Sequence, residues 1–143
     1  AAEGMNLMSS TLVTEATGQP FDQLQAEQIA RFREAWAAAG HDREPRVSVS
    51  RSIFPLVSDL DHQLFGLQTR SQDQVGQLEG GRARFGKTYA GEPDVLIAQL
   101  AEDEAIAAAD TLLLTVPNQL GVDYNAHILD SVVRHVAPGL GWR

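Results

Sequence analysis

The chain has 143 residues, no cysteine and a formal net charge of -8. That length suffices for one domain with a workable core. The missing cysteines exclude disulfides, thiol nucleophiles and cysteine-ligated metals, and the acidity argues against nonspecific binding to nucleic acid or anionic lipid, which needs clustered Lys and Arg. No apolar run reaches the roughly 18 residues of a membrane span, and a cytoplasmic location is expected.

Residues 1–3, closed by Gly4, read as the last turn of a helix, so the sequence is expected to open inside a longer chain. Residues 5–13 predict a short strand that ends in small hydroxyl residues, Ser9, Ser10 and Thr11. Between 21 and 39, Phe21, Leu24, Ile29, Phe32 and Trp36 recur at helical spacing with polar residues between them, which predicts an amphipathic helix ended by Gly40. Residues 47–54 alternate with period two and predict a second strand.

From 58 to 90 the pattern weakens. The stretch around 66–90 is rich in Gly, Gln and charge and is expected to be the least regular and most mobile part of the chain, an excursion that could act as a lid. A helix follows, with Pro93 in its first turn and Val95, Leu96, Ile97, Leu100 and Ile106 as its apolar positions. Residues 111–116 read as a continuous apolar strand covered on both faces, ended by Pro117. The last helix takes Tyr124, Ile128, Leu129, Val132, Val133 and Val136 as its buried stripe and stops near Pro138 and Gly139.

This alternation predicts an α/β chain of three parallel βα units. In such folds ligands bind at the carboxyl ends of strands, which here offer Ser9, Ser10, Thr11 and, after the third strand, Asn118. Arg51, charged within an otherwise apolar strand, must be paired, reach a rim or line a polar cavity. Arg82 and Arg84, in "EGGRARFGK", combine positive charge with flanking glycines and suit an anion-gripping lid. His41 and His62 lie on separate elements, and His127 and His135 lie eight apart on the last helix, so the four do not converge on a metal site; His127 reads as partly packed. No dinucleotide fingerprint, phosphate loop or hydrolase elbow is present, and no catalytic residue is assigned.

Four runs, "AAEGMNLMSSTL", "PRVSVSRSIFPLVSD", "YAGEPDVLIAQLAEDEAIAAADTLLLTVP" and "VDYNAHILDSVVRHVAPGLGW", together resemble the C-terminal part of the bacterial-luciferase-like, flavin-dependent monooxygenases, with Gly91, Pro93 and Leu100 at a characteristic helix start. The resemblance implies strands six to eight of a (β/α)8 TIM barrel, incomplete in residues 1–143, with the N-terminal half of the barrel as the missing partner. It implies reduced FMN, supplied by a separate flavin reductase, which reacts with dioxygen to oxygenate a small organic substrate; a deazaflavin used for hydride transfer is the alternative within the same superfamily. By resemblance Ser10 and Thr11 lie near the flavin ring and Arg82 or Arg84 falls in a mobile active-site loop; Arg51 and Asn118, from the pattern above, are the further candidates to face substrate or lid. The piece alone is expected to be inactive and to self-associate through unpaired strand edges. The competing expectation is a free-standing small α/β ligand-binding or interaction module without catalysis.

Overall fold

A computed structural model describes residues 1–13, 18–67, 73–78 and 81–142, with the backbone alone for 77, 78, 81 and 82. The fold is mixed α/β with parallel strand pairing, and its contacts separate into two compact units. The first comprises Ala1–Ser50, Asp73–Gly86 and Asp103–Leu113; the second comprises Arg51–Gln72, Lys87–Glu102 and Leu114–Arg143.

In the first unit, β1 (Leu7–Met8) pairs in parallel with the start of β3 (Val47–Pro55), in the register Leu7 to Val47 and Met8 to Ser48. Successive carbonyls of a strand point to opposite edges. Those of Arg46 and Ser48 accept from Leu7 and Ser9, whereas that of Val47 accepts from Asp110, at the entry to β7 (Thr111–Leu114). The start of β3 therefore lies between β1 and β7, in chain order. Helix α1 (Phe21–Ala39) covers this sheet. Its first free amide, on Phe21, donates to Asp73 at 2.8 Å, and Gly40 closes it with a φ of 70°, a conformation glycine reaches without a Cβ penalty. Ile29, Val47, Val49 and Ala105 form the core, with Leu7, Phe32, Ile106 and Leu112 packed around them. The alternation of β3 turns Val47 and Val49 inward while Ser48 and Ser50 stay half-buried.

Residues 5–13 are not one strand. Ser9 turns inward to Gln28 and the Ser10 hydroxyl bonds the Leu12 backbone, so the pairing breaks, and Leu12–Val13 becomes β2 in a separate antiparallel sheet. That sheet has the order β2, β5 (Gly81–Phe85), β4 (Gln74–Leu78). The stretch expected to be least regular thus contains a hairpin. Gly76 makes room for the Phe85 ring, whose nearest atom would sit 3.2 Å from an added Cβ.

The single helix expected after Pro93 is two. Asp103 accepts from the Ile106 amide at 3.0 Å and starts α4 (Glu104–Ala108) in the first unit, while α3 (Pro93–Ala101) belongs to the second. The capping carboxylate sits in a run of good helix formers and overrides their propensity. Strand β7 is also less covered than its composition suggests, because Leu113 is 45 % exposed.

In the second unit the later half of β3 pairs in parallel with β6 (Thr88–Gly91), from Ser52 opposite Thr88 to Pro55 opposite Gly91. After β3, Ser58 caps the short helix α2 (Asp59–Phe65). Helix α5 (Gly121–Ser131) widens into a π-helical stretch over Val132–Val136 and ends in a 3₁₀ turn. Ile128, Val132 and Val136 form its buried line, but Leu129 and Val133, expected inside, are 42 % and 65 % exposed. Ser131, a polar residue, is buried beside Val132 in their place. Phe54, Ala90 and Ile128 make the core, and the Phe54 ring stacks on Phe65 with centroids 4.0 Å apart.

Candidate functional site

Two polar constellations lie where parallel strands end. In the first unit, Ser9 at the carboxyl end of β1 is buried and donates to Gln28 Oε1 at 2.7 Å. Ser10 and Thr11 are exposed, and the Ser10 hydroxyl is committed locally, donating to the Leu12 carbonyl and accepting from its amide. The residue that sequence reasoning missed is Gln25, on α1 at 3 % exposure. Its Nε2 donates to the Ser10 carbonyl at 2.8 Å, and its Oε1 is buried with no hydrogen-bond partner among the described residues. Leaving a buried acceptor unmet costs on the order of 1–3 kcal/mol, so such an atom calls for a donor. The signal was present in the sequence: Gln25 falls midway between Phe21 and Ile29, a polar residue on the buried stripe of α1.

The arginines singled out in the sequence lie on β3 and β5. Arg84 bonds Asp73 at 3.2 Å, and the same Asp73 oxygen caps α1, so the hairpin is tied to the helix start. Its strand, β5, is paired on both edges, with β2 and β4. The Arg82 backbone lies in β5 opposite Gln77, and its side chain is outside the described residues. Arg51 is 2 % exposed and engages a partner, as a charge inside a strand must. Asn118 is exposed at the start of a 3₁₀ turn. At the opposite, amino end of β3, a cleft of about 470 Å³ is lined by Arg33, Trp36, His41, Arg43 and Asp110 among others. Its cations already have partners: Arg33 meets Asp110, and Arg43 lies 4.6 Å from the Trp36 ring centroid and bonds Asn6.

The second constellation centres on Asp61, in the first turn of α2 just beyond β3. The pattern Ser58-Asp59-Leu60-Asp61 folds as a capping box: the Ser58 hydroxyl accepts from the Asp61 amide, and the Asp61 carboxylate accepts from the Ser58 amide at 2.8 Å. The same carboxylate also accepts from the Ser58 hydroxyl, the Val57 amide and, from α5, the Tyr124 hydroxyl at 2.5 Å. His127 Nε2 stands 3.0 and 3.1 Å from its two oxygens. The Asp61 side chain is 2 % exposed and that of His127 37 % exposed. The Tyr124 and His127 rings are 5.5 Å apart, and the Phe65 ring lies 6.4 Å from Tyr124.

Burial alone would raise the Asp61 pKa, but the hydrogen bonds from Tyr124, His127, Ser58 and the Val57 amide outweigh it and hold the carboxyl at about 2, against an ordinary 3.8. Burial and the adjacent carboxylate push the Tyr124 hydroxyl upward, so it remains a donor. Because the folded-state pKa of Asp61 is depressed, its stabilisation is present above about pH 4 and is lost as pH falls toward 2. The expected loss is about 2 kcal/mol. Urea unfolding at intervals across that window should show it, and Asp61→Asn should remove this part of the acid dependence. An unchanged acid profile in the variant would contradict the assignment.

Comparison of the chain with protein-family models, with curated proteins and with solved structures finds no match. No helix among the described residues is long and apolar enough to cross a membrane, and no group of three or more His, Asp or Glu side chains there is placed to hold a metal ion. The donor set at the end of β1 fits a flavin in one respect: the unmet Gln25 acceptor matches a ring N–H of an isoalloxazine. The Ser10 hydroxyl, already committed to Leu12, does not add to that fit.

Proposed function

We propose that the chain is the strand-six-to-eight portion of a luciferase-like, flavin-dependent monooxygenase of the cytoplasm, acting with reduced FMN from a separate reductase, dioxygen and a small organic substrate. The observation that carries this reading is the buried, unmet Gln25 Oε1 beside the carboxyl end of parallel strand β1, where β/α folds bind ligands. The parallel pairing of β1 with β3 supports it, since consecutive strands of a barrel are neighbours. Met8 on β1 and Leu113 on β7, at 46 % and 45 % exposure, support the presence of further chain against these strands. The bound flavin would supply two-electron chemistry toward dioxygen; this chain would contribute the Gln25 acceptor and the backbone around Ser10 and Thr11. Hydride transfer with a deazaflavin would make the same use of Gln25.

Flavin fluorescence titration tests the proposal. The 143-residue chain alone is expected to show no submicromolar FMN site, because five of the eight strands that such a barrel closes with are not among these residues. The polypeptide extended through the reading frame ahead of Ala1 is expected to bind, and Gln25→Leu in it to weaken binding about tenfold, the worth of one good hydrogen bond. A stoichiometric submicromolar site on the short chain, or no binding by the extended one, would overturn the reading.

A second reading, a small α/β module without catalysis, is favoured by the internal commitments of Ser10 to Leu12 and of Arg84 to Asp73. It predicts a monodisperse monomer with cooperative unfolding, whereas the barrel portion predicts self-association.

A further inference from the structure

We propose that Asp61 and His127 form a proton-transfer pair, in which His127 Nδ1 is the base that receives a proton from a small protic substrate beside the carboxyl end of β3. The inference goes beyond the flavin reading and does not depend on it. An ionised carboxylate can only accept hydrogen bonds, and both Asp61 oxygens lie 3.0–3.1 Å from His127 Nε2. Nε2 must therefore carry the proton, which in the neutral imidazole places the free lone pair on Nδ1. This is how a buried carboxylate fixes the tautomer of a catalytic histidine. The carboxylate also accepts from the Tyr124 hydroxyl, the Ser58 hydroxyl and amide and the Val57 amide, so it is held in place when the imidazole gains charge. Burial of Asp61 keeps that ion pair from being screened, while the 37 % exposure of His127 gives a substrate access. The remaining titratable groups of the two helices, Asp59 and His62 on α2 and Asp123 and Asp130 on α5, are exposed, and the buried charge in contact with His127 is Asp61.

The probe is a nitrobenzisoxazole, whose ring opening reports a base directly. The base takes the ring C–H proton, the C–H electron pair completes a nitrile, and the N–O bond breaks to release a coloured phenolate; the imidazolium then returns its proton to solvent. His127→Gln is the reference variant, because its side-chain N–H can still donate to Asp61 while it carries no base. The native chain is expected to exceed this variant roughly tenfold or more. Asp61→Asn should lower the rate of the native chain. Nitrogen-15 correlation spectra should show His127 as the Nε2–H tautomer and lose that preference in Asp61→Asn. Equal rates for native protein and a folded His127→Gln variant, or an Nδ1–H tautomer in the native spectrum, would overturn the proposal. Neither readout involves flavin, so failure here is distinct from failure of the flavin titration.

Discussion

Replacing Asp61 by alanine is expected to destabilise the protein by about 3 kcal/mol, the largest effect of any single polar substitution considered. The carboxylate holds three parts of the second unit together. It closes the capping box that starts α2, receives the Val57 and Ser58 amides as the chain leaves β3, and anchors α5 through Tyr124 and His127. Losing an N-terminal cap costs on the order of 1 kcal/mol, and each buried donor left without its acceptor adds a comparable amount. Tyr124→Phe removes one bond and should cost about 1 kcal/mol. Urea unfolding followed by circular dichroism measures both, with the m-value expected to stay constant. A change below about 1 kcal/mol for Asp61→Ala would show that water replaces these contacts at little cost.

A loss of about 3 kcal/mol is likewise expected for Ile29→Ala, from a different cause. Ile29 is 1 % exposed and packs in the first unit against Val47, Val49 and Ala105, where β3, α1 and α4 meet. Truncation removes the transfer free energy of three carbons and leaves a cavity that close-packed neighbours cannot fill. Val133→Ala, at a position 65 % exposed, serves as the control and should change stability by less than about 0.5 kcal/mol. Equal effects at the two positions would mean that the packing of α1 described above is wrong.

The long elements were legible because their periodicity and their ends agreed. Helix α1 follows its apolar spacing and ends at Gly40, and β3 follows the alternation of Val47, Val49 and Ile53. Local polar bonds decided the rest. The hydroxyls of Ser9 and Ser10 split one expected strand, and the Asp103 carboxylate split one expected helix, each supplying a backbone or side-chain bond that periodicity does not register. The β4–β5 hairpin was hidden because "QVGQL" and "GRARF" have few apolar residues; the Phe85 ring, packed over Gly76, does part of the work of a hydrophobic face. Within the candidate sites, Gln25 was readable as a polar residue on a buried stripe. Asp61 was not, because its partners Tyr124 and His127 lie 63 and 66 residues away and nothing in their spacing brings them together.

The proposal that these residues belong to a flavin-dependent β/α barrel is tested most directly by reading the coding DNA ahead of the codon for Ala1. The account predicts an open frame that continues for about 150 residues or more with further βα periodicity, enough to supply the rest of an eight-stranded barrel. An initiator codon immediately before Ala1, with the purified 15.5 kDa chain behaving as a cooperative monomer, would contradict it.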